Sequence, residues 1–157
     1  MEKLNWSSKE WHFSLTCSEQ GLTSLDISCE PIIAPKRNHC PANGFLEQGR
    51  KQIEEFLAGK RKAFDLPLDL KELTKFQLGV LQALAEIPFG ETKTYGDLAR
   101  AINNPKAVRA VGGALGKNPL PLILPCHRVL ASNGPGGFSL GLEMKRQFLK
   151  MEGIEAF

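Results

Sequence analysis

The stretch Thr94-Tyr-Gly-Asp-Leu-Ala-Arg-Ala-Ile-Asn-Asn-Pro-Lys-Ala-Val-Arg-Ala-Val-Gly-Gly-Ala-Leu-Gly-Lys117 reads as two short helices around one break. Thr94 and Asp97 stand at capping-box spacing, where each side chain takes the other residue's backbone N–H. Leu98 and Ile102 follow on one helical face. Asn103 and Asn104 break that helix. Pro105 then opens the next one, at the position where a helix favours proline. The spacing predicts two helices joined by about three residues, a helix-turn-helix.

On a helical wheel, Val108, Val111 and Leu115 cluster on one side of the second helix. Arg109, Gly112, Gly113 and Gly116 lie roughly opposite. A glycine inside a helix costs about 1 kcal/mol relative to alanine, so a face carrying several needs a reason. Two readings fit. Either a ligand such as nucleic acid lies against the backbone with Arg109 as the long probe, or the glycines are structural, through a neighbouring helix packed on them or fraying near Gly116.

Upstream, Thr74 and Gln77 repeat the capping-box spacing, with Leu73 and Leu78 placed as its hydrophobic staple. Phe76, Val80, Leu81 and Leu84 share a face, and Pro88 ends that helix. Residues 1–70 follow a different rhythm. Trp11, Phe13, Leu15 and Cys17 alternate with polar residues, Ser18–Gly21 is turn material, and Leu25, Ile27 and Cys29 alternate again, which predicts a β-hairpin. His12 falls on the polar side of its strand and is expected to be exposed. Pro31–Gly44 has no period and reads as a loop. Leu46, Ile53, Phe56 and Leu57 predict a helix stopping at Gly59, and a short strand is expected near Ala63–Leu66. The chain is therefore expected to be α+β, with a sheet-bearing domain at 1–70 and a mainly helical one at 71–157.

At 157 residues the chain can bury one good core or two small ones. Met1–Glu10 lacks the apolar core of a secretory signal, and no apolar run is long enough to span a bilayer. The expected compartment is the cytoplasm, or the nucleus in a eukaryote. There Cys17, Cys29, Cys40 and Cys126 stay reduced. Net charge is +3, unevenly spread. Residues 1–70 carry 9 bases and 10 acids, and 71–157 carry 11 and 7. Between Thr92 and Arg128, Lys93, Arg100, Lys106, Arg109, Lys117 and Arg128 face one acid, Asp97. That excess suits a polyanion, and it equally suits a solvated surface.

Downstream lies Leu120-Pro-Leu-Ile-Leu-Pro-Cys-His-Arg-Val129. A cysteine beside a histidine is a candidate nucleophile and base, since the thiolate is the reactive form and imidazole can take the proton. A buried structural cysteine beside a surface histidine fits the pair equally well. Glu152 ends the helical pattern Leu142–Met151, just before Gly153. A carboxylate there meets the negative end of the helix dipole, at a cost of about 0.3–1 kcal/mol, and such local conflicts tend to mark sites.

Tyr95, the run Asn104–Pro119 containing Arg109 and Asn118, the block Pro121–Val129 and Glu152-Gly153 together resemble the O6-alkylguanine-DNA alkyltransferases, from about Thr74 to Gly153. The resemblance implies a small antiparallel N-terminal domain, ribonuclease H-like, and a C-terminal domain with a winged-helix-like helix-turn-helix. It implies stoichiometric transfer of an alkyl group from O6-alkylguanine, with O4-alkylthymine as a further substrate, to Cys126. His127 would be the base acting through a water, Glu152 would orient it, Tyr95 would assist the leaving guanine and Asn118 would brace the turn. Arg128 would be structural. Lys106, Ala107, Arg109, Ala110, Gly112, Gly113 and Tyr95 would meet duplex DNA in the minor groove, with Arg109 filling the place of a flipped nucleotide. Val129, Phe138 and Ser139 would line the base pocket. No cofactor, metal or membrane is implied, and the expected state is a monomer bound to double-stranded DNA. Zinc, which some relatives hold in the first domain, is not expected at Cys17, Cys29, His39 and Cys40, whose spacing matches no zinc motif. Two positions depart from the family pattern: Phe138 stands where tyrosine is common, and Leu140 where glycine is common, so Leu140 is expected to narrow the alkyl pocket. The rival readings are a damage-binding module without chemistry, which would lack the reactive cysteine, and a Cys-His-Glu hydrolase, which would turn over.

Overall fold

Alternating apolar side chains build a three-stranded antiparallel sheet from β1 (Glu2–Ser8), β2 (Trp11–Cys17) and β3 (Leu22–Ser28), in that order. The structure, a computed structural model, describes residues 2–31 and 44–157. The sheet has one strand more than the hairpin read from the sequence. β1 escaped that reading because only Leu4 and Trp6 supply its buried alternation. The turn into β2 is also unmarked: it runs through Lys9 at φ 56° rather than the Asn-Gly pair that signals a hairpin. Trp6 sits opposite Phe13, the rings stacked at 5.1 Å. On β2, the central strand, Ser14 is buried between the buried Phe13 and Leu15, so strict alternation fails there. His12 is half-buried rather than exposed and shares a 2.6 Å hydrogen bond with Ser7.

Helix α1 (Phe45–Leu57) packs on this sheet through Leu46, Ile53, Phe56 and Leu57. Gly49 permits the approach, since a Cβ there would stand 2.5 Å from Leu15 Cδ2. The strand expected near Ala63–Leu66 is not formed. Phe64 instead sets its ring against Phe56 at 5.2 Å. The chain then meets β3 in a single bridge, Leu22 to Leu68, held by Leu22 N–H donating to the Pro67 carbonyl at 2.9 Å and Asp69 N–H to the Leu22 carbonyl at 2.8 Å. Most of the loop expected over Pro31–Gly44, with His39 and Cys40, lies outside the described residues. Cys17 is buried and Cys29 exposed.

The chain divides into compact units at 1–70 and 71–157. In the second, α2 (Lys75–Ala85) and α3 (Tyr95–Ala101) both begin with a complete capping box. Thr74 and Gln77 exchange bonds of 3.2 and 2.9 Å, and Thr94 and Asp97 bonds of 3.0 and 2.8 Å. These helices and α4 (Val108–Gly116) pack on one another around Val80, Leu84, Leu98, Val111 and Leu115. Pro105 does not open α4. It lies inside a turn closed by Ala107 N–H donating to the Asn104 carbonyl at 3.0 Å, where proline is favoured at the second position. Residues 102–107 thus form a longer connection than the sequence suggested, and α4 begins at Val108. Val108, the first residue of α4, is 42% exposed, although it shares a helical face with the buried Val111 and Leu115. Two-residue strands β4 (Lys93–Thr94) and β5 (Val129–Leu130) pair in parallel, and α5 (Leu142–Met151) closes the unit. Among the described residues, no helix is long and apolar enough to cross a membrane.

Candidate active site

Cys126, His127 and Arg128 form one turn of 3-10 helix directly before β5, and all three are buried. Asn118 holds the chain that leads into it: its amide donates to the Leu124 carbonyl at 2.9 Å, and its side-chain oxygen accepts the Leu120 N–H at 3.0 Å. Glu152 caps the C-terminus of α5 and is also buried. The conflict with the helix dipole is answered by donors converging on its carboxylate. His127 Nε2 lies 2.5 Å from Oε2, Arg128 Nε 2.9 Å from Oε1, and the Gly90 N–H 2.9 Å from Oε1. Arg128 also donates to the Ile87 carbonyl at 2.7 Å, tying the motif to the end of α2.

These contacts set the protonation states. Burial pushes the Glu152 carboxyl up, but the hydrogen bond and charge of His127, with Gly90 N–H and Arg128, outweigh it and hold it below the ordinary carboxylate value. Burial holds the His127 imidazole below its ordinary value, against the pull of Glu152. An ionised Glu152 facing a neutral imidazole requires the proton on Nε2. Nδ1 then carries the lone pair, and it is buried without a hydrogen-bond partner among the described residues. Burial pushes the Cys126 thiol up to about 11, while the Asn118 hydrogen bond and the Lys145 charge pull it back. A thiol in that state needs a base to become a nucleophile.

Cys126 opens onto a cavity of about 150 Å³, lined also by Tyr95, Gly112, Leu115, Gly116, Gly137, Phe138 and Ser139. Tyr95 opens α3 and accepts the Gly137 N–H at 3.0 Å while its hydroxyl donates to the Gly137 carbonyl at 3.4 Å. Gly136 must be glycine for this contact, because φ is 72° and a Cβ would come within 2.7 Å of the tyrosine oxygen. Phe138 stands edge-on to Phe148, which stands edge-on to His127. Leu140 is half-buried and does not line the cavity, contrary to the expectation that it narrows the pocket. Val129 is buried in β5 outside that lining.

Known proteins carry the same architecture. Residues 75–154 match the family described as 6-O-methylguanine DNA methyltransferase, DNA binding domain. Residues 6–70 match its ribonuclease-like domain. The inducible methylated-DNA–protein-cysteine methyltransferase of Bacillus subtilis is 40% identical over 154 residues, covering 92% of this chain and 86% of its own. The chain belongs to this family. The Haemophilus influenzae methylated-DNA–protein-cysteine methyltransferase is 50% identical over 138 residues, covering 86% of this chain and 76% of its own. The crystal structure of Mycobacterium tuberculosis OGT in complex with DNA superposes with a TM-score of 0.80 at 36% identity, covering 96% of this chain and 91% of that one.

In this family member the structure separates two groups of the residues singled out in the sequence. Cys126, His127, Glu152, Asn118, Tyr95, Phe138 and Ser139 gather at or behind the cavity. Lys106, Arg109 and Ala110 are exposed along the start of α4, and Ala107 is half-buried at its N-cap. Among the described residues, a Cβ on Gly112, Gly113 or Gly116 would meet nothing within 4 Å, so no neighbouring helix among them accounts for the glycine face. One site residue went unread in the sequence. Lys145 is fully buried, and its Nζ donates to the carbonyls of Val129, Pro135 and Gly137 at 2.6, 2.7 and 3.0 Å. Its place on the wheel beside Phe148 and Leu149, both buried, was the available signal.

Proposed function

We propose that the chain repairs alkylated DNA directly, moving the alkyl group from guanine O6 in duplex DNA to the sulfur of Cys126, once per molecule. The observation that carries this reading is the position of Cys126 on a cavity, with the adjacent imidazole locked to Glu152 and its Nδ1 lone pair unused. His127, through a water, takes the thiol proton. The sulfur attacks the alkyl carbon, the S–C bond forms, and the C–O6 bond breaks with its electron pair on the base. The guanine anion then takes up one proton, so a neutral thiol and an alkylguanine become a neutral thioether and guanine. Tyr95, on the cavity wall, stabilises that anion by hydrogen bonding to guanine N3. Phe138, Ser139 and the backbone near Val129 hold the base. O4-alkylthymine presents the same leaving oxygen and is a second substrate. No step returns a thiol from a thioether, and no cofactor is required.

A base stacked in a duplex cannot reach this cavity, so it must be flipped out, which costs a few kcal/mol and least for a damaged pair. The exposed glycine face of α4 lies against the minor groove, and Arg109 fills the gap in the stack. Lys93, Lys106 and Lys117, all exposed, meet phosphates, so binding weakens as salt rises. Incubation with duplex DNA bearing O6-methylguanine adds one methyl mass per chain, located by peptide mapping at Cys126, and then stops. Sustained turnover, or a methyl on another cysteine, rejects the reading.

The glycine face yields a prediction of opposed signs. Gly113→Ala stabilises the fold by about 1 kcal/mol, since helix propensity improves and the new methyl meets no protein atom. The same methyl lifts α4 off the groove and slows transfer from duplex DNA. Thermal melting and single-turnover rates on one preparation check both; a stabilised variant with an unchanged duplex rate removes the glycine face from the interface.

A further inference from the structure

An ammonium group has three N–H donors and no acceptor, and each donor of Lys145 ends on a backbone carbonyl. Those carbonyls belong to Val129 at the start of β5, to Pro135 in the following loop, and to Gly137 on the cavity wall. Gly137 is also the residue that Tyr95 holds from the other side. Lys145 Nζ lies 6.0 Å from the centre of the Phe138 ring as well, within cation–π range of a second wall residue. Its charge acts on Cys126 and on His127, the titratable groups that face it from the reactive turn. Among the described residues no carboxylate pairs with it, and the group that gains opposite charge beside it is Cys126, on losing its proton.

We propose that Lys145 is a positioning residue for alkyl transfer: its ammonium ties Gly137, on the cavity wall, to Val129 and Pro135 behind it, and supplies the positive charge that the Cys126 thiolate faces. The inference rests on the reading of Cys126 as the alkyl acceptor. The chemistry of the amine makes the two roles inseparable. A neutral amine keeps two donors and gains a lone pair, which repels a carbonyl oxygen at hydrogen-bond distance. Losing the proton therefore releases one of the three carbonyls and removes the charge facing the sulfur together. Burial brings the Lys145 pKa down to about 8, against the pull of Cys126, so this proton is lost in an accessible range.

The test uses the full chain and free O6-benzylguanine, which needs no flipping, with adduct formation followed by intact mass from about pH 6.5 to 9.5, a range that brackets the lysine. In the wild type the rate holds level and then falls above about pH 8, approaching tenfold per pH unit as the ammonium is lost. Lys145→Arg keeps charge and donors, so its rate stays level across that range. Lys145→Met, at a temperature where melting shows it folded, is slower by at least about tenfold throughout, as misplaced groups cost. Carbamidomethylation of Cys126 by iodoacetamide, read at the peptide level and independent of any base pocket, also slows in the Met variant and not in the Arg variant. A wild-type rate that does not fall, or an Arg variant that falls with the wild type, overturns the proposal. So does a folded Met variant that transfers at the wild-type rate; if that variant does not fold, the wild-type and Arg profiles decide. Failure of the wild type to alkylate Cys126 at all rejects the proposed function instead, and is seen in the first measurement.

Discussion

Glu152→Gln slows alkyl transfer by about 10²–10⁴-fold, the range of a lost general base. The carboxylate is what fixes the His127 tautomer and keeps its imidazole basic: among the causes acting on His127, Glu152 is the one that raises its pKa, against burial. An amide can still accept one hydrogen bond, but it no longer favours the charged imidazole. The pH profile moves with the rate. His127 takes a proton below its ordinary value, so transfer persists below about pH 6.5 before it falls. In the Gln variant that acid limb moves to still lower pH. The structure predicts a stability loss as well, because the same carboxylate is the partner of the buried Arg128. Removing one member of a buried ion pair costs about 3–5 kcal/mol. Single-turnover rates across pH, with a melting curve for each variant, separate the two effects. An unchanged rate in a destabilised protein makes Glu152 a structural residue and nothing more.

Arg109→Ala reduces transfer from O6-methylguanine in duplex DNA by about two orders of magnitude, if the arginine supplies most of the few kcal/mol needed to hold a base out of the stack. The same variant reacts with the free base O6-benzylguanine at the wild-type rate. Arg109 is exposed on α4, and it is not among the residues lining the cavity. Its substitution therefore leaves the nucleophile and pocket untouched, and the fold loses little. The comparison of the two substrates is the deciding measurement. Equal losses on both would place Arg109 in the chemistry; equal retention would remove it from flipping.

Local rules written in adjacent residues were legible without any structure. The capping boxes at Thr74–Gln77 and Thr94–Asp97 start α2 and α3 where the spacing puts them, since a cap is satisfied within one turn. The apolar face of α1 and its stop near Gly59 follow from periodicity in the same way. The Pro-Cys-His-Arg-Val block, with Tyr95, Arg109, Asn118 and Glu152, was sufficient to indicate the family. What periodicity could not supply were features set by partners distant in sequence. β1 owes its place to pairing with β2, Pro105 to a turn closed by Asn104, and Val108 its exposure to standing at the first position of α4. The exposure of the glycine face, the convergence of His127, Arg128 and Gly90 on Glu152, and the burial of Lys145 beneath three carbonyls depend on elements tens of residues apart. Sequence determined the capped starts of α2 and α3 and which side chains can do the chemistry, because those are properties of short segments. The tertiary structure alone decided which polar groups leave water and whom they meet, because burial and hydrogen-bond partners exist only once distant segments have packed.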